Sequence, residues 1–270
     1  YFGSSVASLG DLDGDGVTDL AVGAVRDGTG GIDRGAVYVL MMNSNGTVKS
    51  STKIASDTNG GPTLSDGDYF SNSVASLGDL DGDGVSDLTV GAYRDDTGGT
   101  SRGAVHVLFM NSNGTVKSSM KIANGTGGGP TLADGDNFGH SVASPGDLDG
   151  DGVTDLAVGA STDCTGGPVR GAVYVLLMNS NGTVKSSTKI ASGTNGGPTL
   201  ANSVRFGSSV ASLGDLDGDG VTDLAAGANL DDTGGGYFSN RGAVYVLFLN
   251  WNGTVKTSQK IASDTGGGPP

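Results

Sequence analysis

The sequence predicts an all-β protein, a β-propeller of four four-stranded blades, and three observations lead there. The chain of 270 residues repeats itself four times at a fixed step. Each repeat holds three short apolar runs and a fourth that alternates, all bounded by turn residues. Composition excludes long helices: Gly reaches 51, aromatics are 6%, and the 29 acidic residues are all Asp, the carboxylate that suits tight turns, with none of the helix-favouring Glu.

The step is 68 residues. It relates Phe2, Phe70, Phe138 and Phe206, and likewise Asp11, Asp79, Asp147 and Asp215, so nothing is inserted between these landmarks. Only the fourth copy departs, adding three residues between Asp231 and Gly242. In the first unit, Val6 to Leu9 and Leu20 to Ala24 are short apolar runs. Gly35 to Met42 reads as a clear strand, and Thr47 to Ala55 alternates Val48, Ser50, Thr52 and Ile54 against Lys49, Ser51 and Lys53. Lysines on the open side of an outermost strand discourage pairing with another sheet. Between the last two strands stands Asn45-Gly46, recurring as Asn113, Asn181 and Asn252, a hairpin signal. Each is also a glycosylation sequon, as is Asn124-Gly125-Thr126.

A four-stranded unit of this length has a face it can bury only on a neighbour, which is the logic of propeller blades. The expected blades are about 1–68, 69–136, 137–204 and 205–270, within one propeller over 1–270. Gly and Ala in the innermost strands suit the crowded centre of a small ring, so a ring of four leads, with four blades of a larger ring as the alternative.

Every unit carries Asp-Leu-Asp-Gly-Asp-Gly-Val-(Thr/Ser)-Asp. Carboxylates at positions one, three, five and nine, a glycine at six and a main-chain carbonyl at seven can converge hard oxygens on one cation. The expected ligands are Asp11, Asp13, Asp15, Val17 and Asp19, then Asp79, Asp81, Asp83, Val85 and Asp87. The third and fourth sets are Asp147, Asp149, Asp151, Val153 and Asp155, and Asp215, Asp217, Asp219, Val221 and Asp223. Calcium fits best, four ions per chain. Zinc wants nitrogen and sulfur, magnesium a strict octahedron, and an EF-hand needs Glu at position twelve, where Val22 stands.

Charge supports this. The four loops hold 16 of the 29 acidic residues, and the remaining 13 face 15 Lys and Arg, so the net −14 belongs to the loops. Close carboxylates repel by about 4 kcal/mol per pair at an effective dielectric near 20, and nothing basic lies within the loop sequence. Such acidity argues against nucleic acid as a partner. No apolar stretch approaches the ~18 residues of a membrane span. With no initiator Met at Tyr1 and no signal-peptide core, the chain is expected to be part of something longer. The single Cys164 stands where other copies have Gly28, Asp96 and Asp232 and carries no role.

Phe2-Gly3, the Asp loop, Val22-Gly23-Ala24 and Gly35-Ala36-Val37-Tyr38-Val39, repeated over all four units, resemble the FG-GAP repeat of integrin α-subunit propellers. The resemblance implies that each unit is a blade, that its calcium loop joins the first two strands at the lower rim, and that ligands meet the upper face. The sequence departs at Phe70-Ser71, and at Val25, Tyr93, Ser161 and Asn229, where the repeat has Pro after Gly-Ala. Integrin propellers have seven blades with calcium in only some, so neither blade count nor partner carries over.

No catalytic constellation is expected. His106 replaces a strand tyrosine and His140 a serine, neither recurs, and the paired acids all lie in the calcium loops. The expected function is an extracellular adhesion or ligand-binding module. Two alternatives are a self-associating subunit of a surface layer or fibre, and an accessory domain of a polysaccharide-active enzyme. The expected partner is a protein or glycan, or copies of the chain itself. Tyr237 and Phe238, in the lengthened loop of the fourth unit, are candidate ligand contacts, opposed by a reading in which they pack locally.

Overall fold

The computed structural model describes residues 1–234 and 240–269. The first blade comprises β1 (Phe2–Gly10), β2 (Asp19–Ala24), β3 (Ala36–Met42) and β4 (Val48–Ala55). The second has β5 (Phe70–Gly78), β6 (Asp87–Ala92), β7 (Ala104–Met110) and β8 (Val116–Ala123). The third has β9 (Phe138–Gly146), β10 (Asp155–Ala160), β11 (Ala172–Met178) and β12 (Val184–Ala191). The fourth has β13 (Phe206–Gly214), β14 (Asp223–Ala228), β15 (Ala243–Leu249) and β16 (Val255–Ala262). Each blade is an antiparallel meander in sequence order. Among the described residues no helix is long and apolar enough to cross a membrane.

The third strands explain the assembly. Every residue of β7 and of β11 is buried, so the two inner blades are covered on both faces. In β3 the alternate residues Tyr38, Leu40 and Met42 are only half-buried. In β15 the opposite set is the less covered one, with Val244 exposed and Val246 and Phe248 half-buried. The blades therefore stack in order, and each end blade keeps one free face.

Three apolar cores fill the three junctions. Val37, Val39, Met41 and Ile54 of the first blade meet Phe70, Val74, Val90 and Met110 of the second, and the same layers recur at the next two junctions. Main chain joins them too: the N–H groups of Phe70, Phe138 and Phe206 donate to the carbonyls of Arg34, Arg102 and Arg170 at 2.9, 2.9 and 2.8 Å. Glycine is required at these crossings. A Cβ on Gly35, Gly103 or Gly171 would lie within about 2 Å of the incoming phenylalanine carbonyl.

The four four-stranded blades are as expected and consistent with a propeller, but the sheets do not close into a ring. Phe70, Phe138 and Phe206 are fully buried while Phe2 is 63% exposed. The open arc is what four blades of a larger ring would present.

One local feature differs from the simplest reading. In the hairpin after β3 only Gly46 is left-handed, at φ +82°, and the Asn45 carboxamide accepts from the Thr47 N–H, so the turn is followed by a bulge between Met41 and Met42. His106 is buried, its ring edge-on to Phe70 at 5.5 Å, and burial pushes its imidazole down to about 4. A buried neutral histidine without hydrogen-bond partners at either nitrogen is a packing residue.

Candidate metal centre

Each acidic loop links the first two strands of its blade and is shaped by its own carboxylates. Asp11 accepts at Oδ1 from the N–H groups of Gly14 and Asp15 (2.8 and 2.9 Å) and at Oδ2 from Gly16 (2.8 Å). This folds the loop around the carboxylate, helped by left-handed Gly14 and Gly16. Asp79, Asp147 and Asp215 repeat all three bonds. The position-five residue Asp15 accepts from the Val17 N–H at 2.9 Å, as do Asp83, Asp151 and Asp219 from Val85, Val153 and Val221.

The position-nine residue does more structural work than its place in the motif indicates. Asp19 is fully buried, and its carboxylate accepts from the N–H of Leu12 and of Met42, both at 2.9 Å. It ties the loop to the end of β3. Asp87, Asp155 and Asp223 are equally buried and make the same two bonds. Burial pushes Asp87 and Asp155 up to about 6, against the opposing pull of these hydrogen bonds.

Position three stands apart. Oδ1 of Asp13 and of Asp149 is buried without a hydrogen-bond partner. A buried carboxylate oxygen without a partner, on a residue clustered with other carboxylates, is costly unless a cation meets it, so the donor set fits a hard divalent ion. In the four loops, oxygens of Asp11, Asp13 and Asp15, of Asp79, Asp81 and Asp87, of Asp147, Asp149 and Asp155, and of Asp215, Asp217 and Asp223 converge within 4.8 Å of one another.

A lysine joins every loop. Lys49, at the start of β4, reaches Asp13 at 2.6 Å and Asp15 at 2.5 Å. Lys117, Lys185 and Lys256 repeat the contact to positions three and five, for example 2.7 Å to Asp81 and 2.9 Å to Asp217. The hydrogen bond from the lysine, aided by the main-chain bond, holds Asp15, Asp83, Asp151 and Asp219 below the usual carboxylate range. These side chains do not simply guard an open edge. The loop lacks a cation in its own sequence and takes one from a strand 34 residues on.

The other lysine of each fourth strand serves the opposite end of the blade. Lys53 lies 2.7 Å from Asp27, and Lys189 and Lys260 lie 2.5 and 2.8 Å from Asp163 and Asp231. The recurring arginines tie connections together, Arg34 and Arg102 holding Asp66 and Asp134 at 2.7 Å. At this same end lies a ladder with no counterpart in the repeat. The Arg26 guanidinium sits over Tyr1 (5.1 Å) and Tyr69 (5.7 Å), Arg94 over Tyr69 (5.1 Å) and Tyr93 (5.6 Å), and Tyr93 meets His140 at 5.4 Å. Tyr237 and Phe238 lie outside the described residues.

The fold and its four acidic loops define a class of tandem-blade β proteins with one candidate metal loop per blade. A family profile of the FG-GAP repeat matches residues 2–40, 70–108 and 206–247, and one of the FG-GAP-like repeat matches 147–226. Among relatives, integrin alpha-5 of Xenopus laevis is 33% identical over 235 residues, 86% of this chain and 20% of that protein. Integrin alpha pat-2 of Caenorhabditis elegans is 32% identical over 227 residues, 82% of this chain and 17% of its own length. Integrin alpha-4 of Xenopus laevis is 35% identical over 167 residues, 62% and 15% respectively. The chain belongs to the FG-GAP repeat family in its integrin α-like form, and spans a fifth or less of these relatives.

Proposed function

We propose that the chain is a calcium-stabilised FG-GAP propeller unit of an extracellular or cell-surface protein, serving adhesion or ligand binding with no catalysis of its own. The observation that carries this reading is the repeated acidic loop, with a buried position-three oxygen that lacks any partner in two of its copies. Residues 1–270 act as one unit of four blades. In each loop the carboxylates at positions one, three, five and nine, with the carbonyl of Val17, Val85, Val153 or Val221, would hold one Ca²⁺. The ion would supply two positive charges where clustered carboxylates repel.

Asp19 and its counterparts hold the loop against the third strand, and Asp11 and its counterparts set its curvature. Affinity in the ~10⁻⁴ to 10⁻³ M range of extracellular modules would keep the loops filled outside cells. The ends of the blades opposite the loops are the place for a protein or glycan ligand. The Tyr1, Arg26, Tyr69 and Arg94 ladder offers planar cations, the exposed ring of Tyr1 and the half-buried ring of Tyr69 there. The relatives' integrin identity supports the adhesion reading.

The test is binding of immobilised chain to matrix-protein and glycan panels in calcium and in excess chelator. Calcium-dependent binding, weakened by Arg26→Ala with Arg94→Ala, is expected. A chain that binds nothing in either condition, or that turns over a bound glycan, would overturn the reading.

A further inference from the structure

We propose that the exposed guanidiniums of Arg26, Arg94 and Arg205, set among Tyr69, Tyr93 and His140 at the blade ends opposite the acidic loops, bind an acidic peptide segment of a partner protein. This deepens the ligand-binding reading and rests on it.

The chain carries a net charge of −14, yet its other cations are engaged. Every lysine pairs with a carboxylate, as do Arg34 and Arg102, while Arg170 and Arg241 donate to Asn202, Ser192 and Ser263. The guanidiniums of Arg26, Arg94 and Arg205 make no hydrogen bond or ion pair with any described residue, and all three side chains are exposed. Acids of the same connections are held elsewhere, Asp27 by Lys53 at 2.7 Å and Asp95 by Lys121. The acidic loops lie roughly 20 Å away, the length of the six-residue second strand, against a screening length of about 8 Å at physiological salt.

Aromatic rings fix these cations in place. Arg94 lies 5.1 Å from the centre of the Tyr69 ring and 5.6 Å from that of Tyr93, and Arg26 reaches the same Tyr69 ring at 5.7 Å. Tyr69 and Tyr93 are 5.5 Å apart, and Tyr93 meets His140 at 5.4 Å. Burial pushes the His140 imidazole down, and the charge of nearby Arg205 adds to the effect. Tyr69, Tyr93, Arg94 and His140 belong to the two middle blades, each with a neighbour on both sides. Stacking holds a guanidinium by its face and leaves the N–H groups at its edge for a carboxylate, which they bind bidentately.

The copies also diverge along this row. Asn-Gly-Thr-Val-Lys recurs unchanged in all four, but the residue before the first-strand phenylalanine is Tyr69, Asn137 and Arg205 in successive later copies. The pair after the second strand is Tyr93-Arg94, Ser161-Thr162 and Asn229-Leu230. Exposed positions that differ among otherwise matching repeats answer to a partner and not to packing. Arg and Tyr are the side chains that anchor protein interfaces, and the ring faces here hold guanidiniums where a sugar would stack, so a peptide with spaced carboxylates fits.

The test is fluorescence anisotropy of a labelled short peptide alternating Glu and Gly, of its Gln-for-Glu counterpart and of a sulfated oligosaccharide, with calcium in excess over the peptide carboxylates. The Glu peptide should bind and the Gln peptide should not, and added salt should weaken the complex. Arg94→Ala with Arg205→Ala should weaken it about tenfold or more. Both side chains are exposed, so the double variant should keep the native circular dichroism. Equal binding of the two peptides, an unaffected double variant, or binding of the oligosaccharide alone would overturn the inference. A chain that binds a matrix protein but ignores the Glu peptide keeps the ligand-binding reading and loses this one, and a chain that binds nothing loses both.

Discussion

Phe138→Ala and Phe2→Ala change the same residue of the repeat in two surroundings, and the open arc predicts very different costs. Phe138 is fully buried between the second and third blades, with its ring edge-on to Tyr174 at 5.4 Å. Truncating such a side chain removes its transfer free energy and leaves a cavity that the flanking β-sheets cannot collapse into, costing about 3–5 kcal/mol. Phe2 keeps the edge contact to Tyr38 at 5.4 Å but is 63% exposed, so only a minor share of its area is at stake, about 1 kcal/mol or less. At roughly 2–4 °C per kcal/mol, Tm should fall by about 10 °C for the first and by about 2 °C for the second. The assay is thermal and urea unfolding in calcium. Equal losses at the two positions would mean that Phe2 is also enclosed, and would refute the open arc.

Replacing Lys49, Lys117, Lys185 and Lys256 by Met should raise calcium affinity by roughly two- to five-fold, since each ammonium occupies carboxylates at positions three and five. Calorimetry finding unchanged or weaker binding would remove these lysines as competitors. In chelator, stability should rise as pH falls from 7 toward 4. Burial holds Asp68, Asp87 and Asp155 up to about 6, so the folded chain takes up protons there that the unfolded chain takes up only near 3.8. Below that the trend should reverse. Burial raises Asp27, but hydrogen bonds from Lys53 and Thr29 outweigh it and hold the carboxyl at about 2, and its contribution is lost as pH falls toward that value. Thermal melts across this range that decline steadily from pH 7 would contradict both assignments.

Much of the fold was legible because the repeat states it four times. The 68-residue step located the four strands of every blade, and the apolar run Gly35 to Met42 marked the third. Self-similarity describes a blade without saying how many close a circle. Phe2 and Phe206 are one residue type in one local sequence, and only the presence or absence of a preceding blade separates them. The acidic loop was equally plain, but its division of labour was not. That Asp19 clamps Leu12 to Met42 depends on the third strand lying beside the loop. That Lys49 turns into the carboxylates depends on hairpin geometry across 34 residues. The Tyr1, Arg26, Tyr69 and Arg94 ladder escaped notice because its members do not recur in the later copies, where Asn137 and Arg205 stand in place of the tyrosines.

Calcium stoichiometry tests the central claim most directly. Equilibrium dialysis with metal analysis, on wild type and on a chain carrying Asp13→Ala, Asp81→Ala, Asp149→Ala and Asp217→Ala, reads the loops without reference to any ligand. The account predicts four Ca²⁺ per wild-type chain, a rise in Tm as the loops fill, and loss of both in the variant. A wild-type chain that binds no calcium at millimolar concentration, or a variant that binds as many ions as the wild type, would contradict it.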